Sequence, residues 1–239
     1  MTLRLPPLVL VFLLVAATAL LIALGIWQLQ RNNWKNSLLD ERDQRTSAAP
    51  LSFAAAETVD LELLDYRRIA DNALWDHDRS FILANRARFG TKGEEIVTPL
   101  LLAPDGPAVL VNRGWYPEGK REVARERLST RPAVIEGLIS IDTRPGKQVD
   151  SGAWTALDPE AMSAELPYTV LSWVVVEGQL VSAKSPPDSG VLPVQRYVAF
   201  RNTTPHIEYA MTWFGLAISL IAIAVLRFKP LLNKHHKEQ

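Results

Sequence analysis

The densest chemistry in this chain is near its C-terminal end, where His206, Tyr209 and Trp213 stand at i, i+3 and i+7. On a helix that spacing gathers an imidazole, a phenol and an indole on one face. A neutral imidazole is a competent axial ligand for haem iron, and adjacent aromatic rings can pack on a porphyrin plane. The same residues equally describe an interfacial aromatic belt beside a capping histidine. Pro205 predicts a helix start immediately before His206.

A second constellation lies near the N-terminal end. Trp27, Arg31 and Lys35 recur at i, i+4 and i+8, with Trp34 one heptad after Trp27, so two indoles and two cations share one side of a helix. Such a face can hold anionic groups; Trp and Lys/Arg also anchor helices at lipid headgroups without any ligand. In mid-chain, Asn112-Arg113-Gly114-Trp115-Tyr116-Pro117 closes an apolar run. Arg113 can pair with a carboxylate and Gly114 permits a bend, which favours a structural role over ligand contact. Asp76, His77 and Asp78 read as a solvated polar turn and not as a metal site.

Composition removes several alternatives. The chain has no cysteine, which excludes disulfides, thiolate metal sites and cysteine nucleophiles. Lys plus Arg and Asp plus Glu each number 26, giving a formal net charge of zero and no electrostatic footprint for nucleic acid. Three methionines do not make a Met-rich copper carrier. There is no G-x-S-x-G, H-E-x-x-H, P-loop or dinucleotide glycine pattern, so the expectation is a protein that is not an enzyme.

Both constellations sit where apolar segments meet polar chain. Leu8–Ile26 and Tyr209–Leu226 carry no charged residue. At about 1.5 Å rise per residue, each is long enough for a hydrocarbon core of about 30 Å, the second narrowly. The first segment is longer than a signal-peptide core and lacks an A-x-A site before Trp27, which favours a retained helix. No Arg-rich amphipathic leader precedes it, which favours a bacterial inner membrane over a mitochondrial one. Arg227, Lys229, Lys234 and Lys237 follow the second segment and place that tail in the cytoplasm.

The expected organisation is therefore a cytoplasmic N-tail (1–7), a first transmembrane helix (8–27), a β-rich periplasmic domain (28–208), a second transmembrane helix (209–226) and a basic cytoplasmic tail (227–239). Between the anchors, strands are expected at 66–70, 81–90, 95–102, 108–112, 134–141, 169–176 and 195–200, arranged as an antiparallel sheet. Helical patterns cover 28–44, 119–128 and 158–165, the last opening on Asp158-Pro159-Glu160. Residues 184–190 read as a loop. The predicted fold class is a membrane α+β protein: two terminal transmembrane helices flanking an antiparallel extramembrane domain.

Three motifs in order complete the picture. Gly25-Ile-Trp27-Gln28-Leu-Gln-Arg31-Asn-Asn-Trp34-Lys35, Val109–Pro117 and His206–Ala217 resemble the surfeit-locus family of cytochrome oxidase assembly proteins across the whole chain. The resemblance implies an assembly factor for haem-copper terminal oxidases that helps deliver haem a for insertion into subunit I. The alternative is a structural chaperone that holds subunit I or the haem synthase without binding haem. By position, the resemblance makes His206 the candidate iron ligand, with Trp27 and Trp213 flanking the site; Tyr209 joins them from its spacing on the His206 helix face. Charge pairing of Arg31 and Lys35 with haem propionates follows from their chemistry. Relatives often carry Asn or Arg before this histidine, where this chain has Pro205.

Overall fold

The computed structural model describes residues 6–72, 74–88, 90–130, 133–181, 191–198 and 204–235. The chain divides into two units, Met1–Asp40 with Arg201–Gln239, and Glu41–Phe200.

Helix α1 runs without interruption from Pro7 to Ser47. Its 41 residues rise about 60 Å, some two hydrocarbon thicknesses. The chain passes through two short helices, α2 (Phe53–Ala56) and α3 (Leu61–Leu64). Strands β1 (Arg68–Asn72) and β2 (Leu74–Trp75) precede a 3-10 turn at His77–Arg79. Three long strands follow, β3 (Phe81–Arg88), β4 (Thr91–Leu101) and β5 (Ala108–Pro117). Helix α4 (Arg121–Ser129) leads to β6 (Val134–Ser140), and α5 (Pro159–Ser163) to β7 (Val170–Glu177). The short strands β8 (Gln179–Val181) and β9 (Arg196–Val198) pair with each other, and α6 (His206–His235) closes the described chain.

The main sheet runs β1-β6-β7-β5-β4, with β2 and β3 laid end to end along the outer edge of β4. It corrects the expected purely antiparallel arrangement, because β5 and β7 are parallel. After β5 the chain passes α4 and places β6 one strand-width away. β7 then fills the gap, antiparallel to β6 and therefore parallel to β5. This central position explains the continuous apolar run of β5: Ala108 through Tyr116 is buried on both faces. Val109 and Val111 join Ile69, Leu100, Ile139, Trp173 and Val175 in one cluster, while Leu110 joins Phe81, Leu83, Val97, Trp154 and Val174 on the opposite side. Helix α4 covers a third cluster by burying Ala124 and Leu128, one turn apart, with Ile96 and Tyr116.

The remaining expectations differ mainly at boundaries. β1 starts at Arg68 because Tyr66 takes a left-handed conformation (φ 64°) and its N–H bonds the Ile139 carbonyl. The Asp158 cap of α5 is present, its Oδ1 accepting from Ala161 N at 3.1 Å. Residues 184–190, and 199–200 of the expected last strand, lie outside the described residues, as does 236–239 of the basic tail.

Candidate functional site

In the helical unit, burial follows a stripe along each helix. Between Leu14 and Lys35 the less exposed positions of α1 are Leu14, Thr18, Leu21, Leu24, Gly25, Gln28, Asn32 and Lys35, most of them three or four residues apart. On α6 the corresponding set is His206, Ala210, Trp213, Phe214, Ala217, Leu220 and Ala224. Recurrence every three or four residues on both helices marks one side of each as the side turned toward the other. Gly25 makes room for a ring of the other helix: a Cβ added there would meet Phe214 Cε1 at 2.5 Å. The opposite faces are strongly apolar and exposed, including Leu8, Phe12, Met211 and Leu226. Both helices are long and apolar enough to cross a membrane, with mean hydropathy 3.0 and 2.0 over their most apolar stretches.

One end of this seam is polar. Pro205 opens α6, its carbonyl accepting from Tyr209 N at 3.1 Å. The first residue, His206, is only 7% exposed despite its place at a helix terminus. Its Nδ1 lies 2.8 Å from Oε1 of Gln28. With that oxygen as the acceptor, the neutral ring carries its proton on Nδ1 and its lone pair on Nε2. Nε2 is buried and makes no hydrogen bond. One heptad beyond Gln28, Lys35 Nζ donates to Thr204 Oγ1 at 3.0 Å. The Arg31 guanidinium lies 4.1 Å from the Trp34 ring centroid, and the charges of Lys35 and Arg31 both act on the imidazole.

The structure thus brings His206, Trp213 and Lys35 onto the inner stripes and leaves Trp27 and Tyr209 outside, 54% and 51% exposed. Arg31 is also exposed. Gln28 is the site residue that sequence reasoning did not single out. An amide carries no chemical signature, and only its pairing with a residue 178 positions away reveals it.

The β-rich unit holds its polar groups differently. Pairing of Ile96 with Gly114 and Val97 with Asn112 makes Arg113 the extra residue of a β-bulge. Arg113 is 1% exposed, forms an ion pair with Glu177, and stacks 3.6 Å from the Trp75 centroid. Glu95 accepts from Arg88 at 2.6 Å and from Asn112 Nδ2 at 2.9 Å, while Asn112 Oδ1 accepts from Gly114 N at 3.0 Å. Gly114 (φ 117°) admits a neighbouring segment, since a Cβ there would lie 2.6 Å from the Val194 carbonyl oxygen. These contacts give the Asn112–Pro117 motif a structural task.

The Asp76–Asp78 turn is similarly engaged. Asp76 accepts from Arg79 and Tyr168, each at 2.8 Å. Burial alone would raise its pKa, but these hydrogen bonds and the Arg79 charge hold it below the usual carboxylate range. Burial, followed by the charge of Arg113, lowers the His77 pKa. Among the described residues, no group of three or more His, Cys, Asp or Glu side chains is placed to hold a metal ion.

What stands out chemically is one buried imidazole held at Nδ1 and sheltered at Nε2, beside two cations and extended apolar surface. The SURF1 family model matches residues 15–218, taking in most of both helix stripes, the bulge motif and His206. The chain belongs to the SURF1 family. It is 28% identical over 226 residues to surfeit locus protein 1 of Takifugu rubripes, covering 85% of this chain and 90% of that protein. A SURF1-like protein of Rickettsia felis is 29% identical over 217 residues, with 87% and 91% coverage. Human surfeit locus protein 1 is 29% identical over 249 residues, with 93% and 77% coverage. This membership supports an assembly-factor role in general terms.

Proposed function

We propose that this SURF1 family member assists delivery of haem a to subunit I of a haem-copper terminal oxidase, with His206 as the iron ligand. The observation carrying the proposal is the His206 ring itself: Nδ1 is held by Gln28, leaving Nε2 buried without a hydrogen bond. A buried polar atom left unbonded is costly, of order 1–3 kcal/mol, and a nitrogen lone pair kept from water is suited to a metal. Haem iron supplies the Lewis-acid centre for that lone pair. Because Nε2 is covered, taking up iron requires the packing around it to open, which suits a grip that must also release.

The surrounding residues serve the same cargo. Trp213 shares the inner stripe with His206, while Trp27 and Tyr209 offer exposed rings near the same end of the helices. Arg31 and Lys35 meet the propionates as cations. An amphiphilic macrocycle favours such a boundary, where apolar faces adjoin charged groups.

The same reading places α1 and α6 across a bacterial inner membrane, with spans at 8–27 and 209–226. The 28–208 domain lies in the periplasm, and the short N-tail and the 227–239 tail lie in the cytoplasm. Arg227, Lys229, Lys234 and Lys237 support that orientation. The partners are the lipid bilayer, oxidase subunit I and the haem a synthase. The test is an absorption spectrum of the full chain purified in detergent from cells that also make haem a. A haem a band in the wild type that is lost in His206→Ala, with membrane insertion intact, is the expected result. Equal haem content in both proteins refutes the ligand assignment, and a band in neither favours a chaperone that never binds haem.

A further inference from the structure

A polar side chain inside a helix seam needs a reason. The Gln28 stripe position follows Leu21 and Gly25, residues that pack or permit close approach. A glutamine in such a seam lowers stability relative to an apolar residue unless its amide is bonded, and polar seam residues are retained where they specify something. Here the bond runs to one atom, Nδ1 of His206 at 2.8 Å, 178 residues away in sequence.

We infer that Gln28 is the positioning residue of this site: by accepting a hydrogen bond from Nδ1–H it fixes the tautomer and orientation of His206 and leaves Nε2 as the ligating nitrogen. The inference rests on the proposed reading of His206 as an iron ligand. Its physical basis is general. An imidazole that binds a metal through one nitrogen donates the proton of the other to an acceptor, which orients the ring and sets its basicity. Without that acceptor, the ring can rotate and the proton can reside on either nitrogen, so only part of the population presents a lone pair at Nε2.

The choice of an amide is informative. A carboxylate in this place would draw the Nδ1 proton strongly, give the ring imidazolate character and tighten its hold on ferric iron. A neutral amide oxygen orients the ring equally well while leaving it an ordinary imidazole. That is the weaker donor of the two and fits a protein that must let its cargo go. Lys35 and Arg31 belong to the same end of the unit but act by charge, whereas Gln28 acts through a directed bond.

Four full-length proteins purified in detergent from cells making haem a test this inference: wild type, His206→Ala, Gln28→Leu and Gln28→Glu. The readouts are haem retained per protein, the position of the Soret band and the midpoint potential. Gln28→Leu is expected to hold haem about 10–100-fold more weakly, the usual effect of losing an outer-shell partner. Gln28→Glu is expected to retain haem and to lower its midpoint potential, since a more anionic imidazole favours ferric iron.

A Gln28→Leu protein with wild-type haem affinity overturns the inference. So does a Gln28→Glu protein whose potential and Soret band match the wild type, a result that holds even when Gln28→Leu fails to insert. Equal loss of haem in both Gln28 variants assigns the residue a purely structural part in the seam and also overturns it. Failure of the underlying reading is separate: His206→Ala would then keep its haem.

Discussion

Glu177→Ala removes the carboxylate facing Arg113, and the expected cost to the β-rich unit is about 3–5 kcal/mol, the range for breaking a buried pair from one side. Arg113 sits in the β5 bulge with 1% exposure, so its guanidinium has little access to water when the carboxylate goes. Trp75 remains beneath it at 3.6 Å, but a desolvated cation–π contact contributes about 2 kcal/mol, short of the several kcal/mol needed to desolvate the ion. For a unit spanning Glu41–Phe200, about 2–4 °C per kcal/mol converts the loss into a fall of about 6–20 °C in Tm.

The double variant Arg113→Met/Glu177→Leu separates pairing from packing. Replacing both ions with apolar groups of similar volume is often neutral, so its cost should be about 2 kcal/mol or less, mainly the lost stacking on Trp75. The double variant should therefore melt above either single variant, Arg113→Met included. The assay is thermal unfolding of the full chain in detergent, followed by far-UV circular dichroism and by the tryptophan near-UV signal. A Glu177→Ala midpoint within about 2 °C of wild type, against the expected fall of at least 6 °C, refutes the reasoning. So does a double variant whose loss equals the sum of the two single losses.

Two further outcomes follow from the same unit. Gly114→Ala should lower stability by about 2 kcal/mol or more, because it combines a disfavoured φ of 117° with a Cβ 2.6 Å from the Val194 carbonyl. Hydrogen exchange should then show faster exchange at the Trp115 and Val194 amides, which bond reciprocally at 3.2 and 2.7 Å; unchanged protection there would count against the close-approach account. Glu94 accepts from Arg121 and Tyr116, and these contacts outweigh burial to hold its pKa below the ordinary value of 4.5. A depressed folded-state pKa contributes stability above the unfolded value that is lost as pH falls through the folded value. Tm should therefore drop on acidification below about pH 4.5, with a shallower slope in Glu94→Gln; identical slopes would exclude Glu94 as a contributor.

The sequence made the element types legible where local pattern decides them. The Asp158 cap, the helix α4 and the long apolar run of β5 all follow from short-range rules. The parallel partnership of β5 and β7 does not, because it depends on the order in which α4 and β6 are laid down. Arg113 signalled a carboxylate partner, but Glu177 lies 64 residues away and no local rule selects it.

The site illustrates a subtler limit. A helix advances about 100° per residue, so steps of i+4 and i+8 turn about 40° and 80° beyond whole turns. Trp27 and Lys35 therefore diverge, while Gln28 and Lys35, one heptad apart, stay within about 20°. The same geometry keeps Trp213 with His206 and turns Tyr209 about 60° away. The stripes show this in burial: Gln28, Lys35, His206 and Trp213 fall on the less exposed sides, and Trp27 and Tyr209 do not.

The contrast between the two units bears on where function resides. In the β-rich unit the ionic groups named above are matched: Arg113 with Glu177, Arg121 with Glu94, Arg88 with Glu95 and Arg79 with Asp76. Matched pairs hold a shape but offer little to a ligand without first being broken. In the helical unit His206 presents a covered ring nitrogen with no hydrogen bond, beside cations on the same stretch of α1. The buried nitrogens without a hydrogen bond in the β-rich unit, Trp75 Nε1 and Trp154 Nε1 among them, are N–H donors with no lone pair to offer. Under the proposed reading these are separate tasks, with the ion pairs of the sheet holding its shape and the polar end of the helix seam holding the cargo. That division predicts a particular phenotype for the stability variants. Glu177→Ala should lose oxidase assembly only as far as it loses folded protein, whereas His206→Ala should lose haem while the folded amount stays constant. Equal haem per folded molecule in the two variants would break the division.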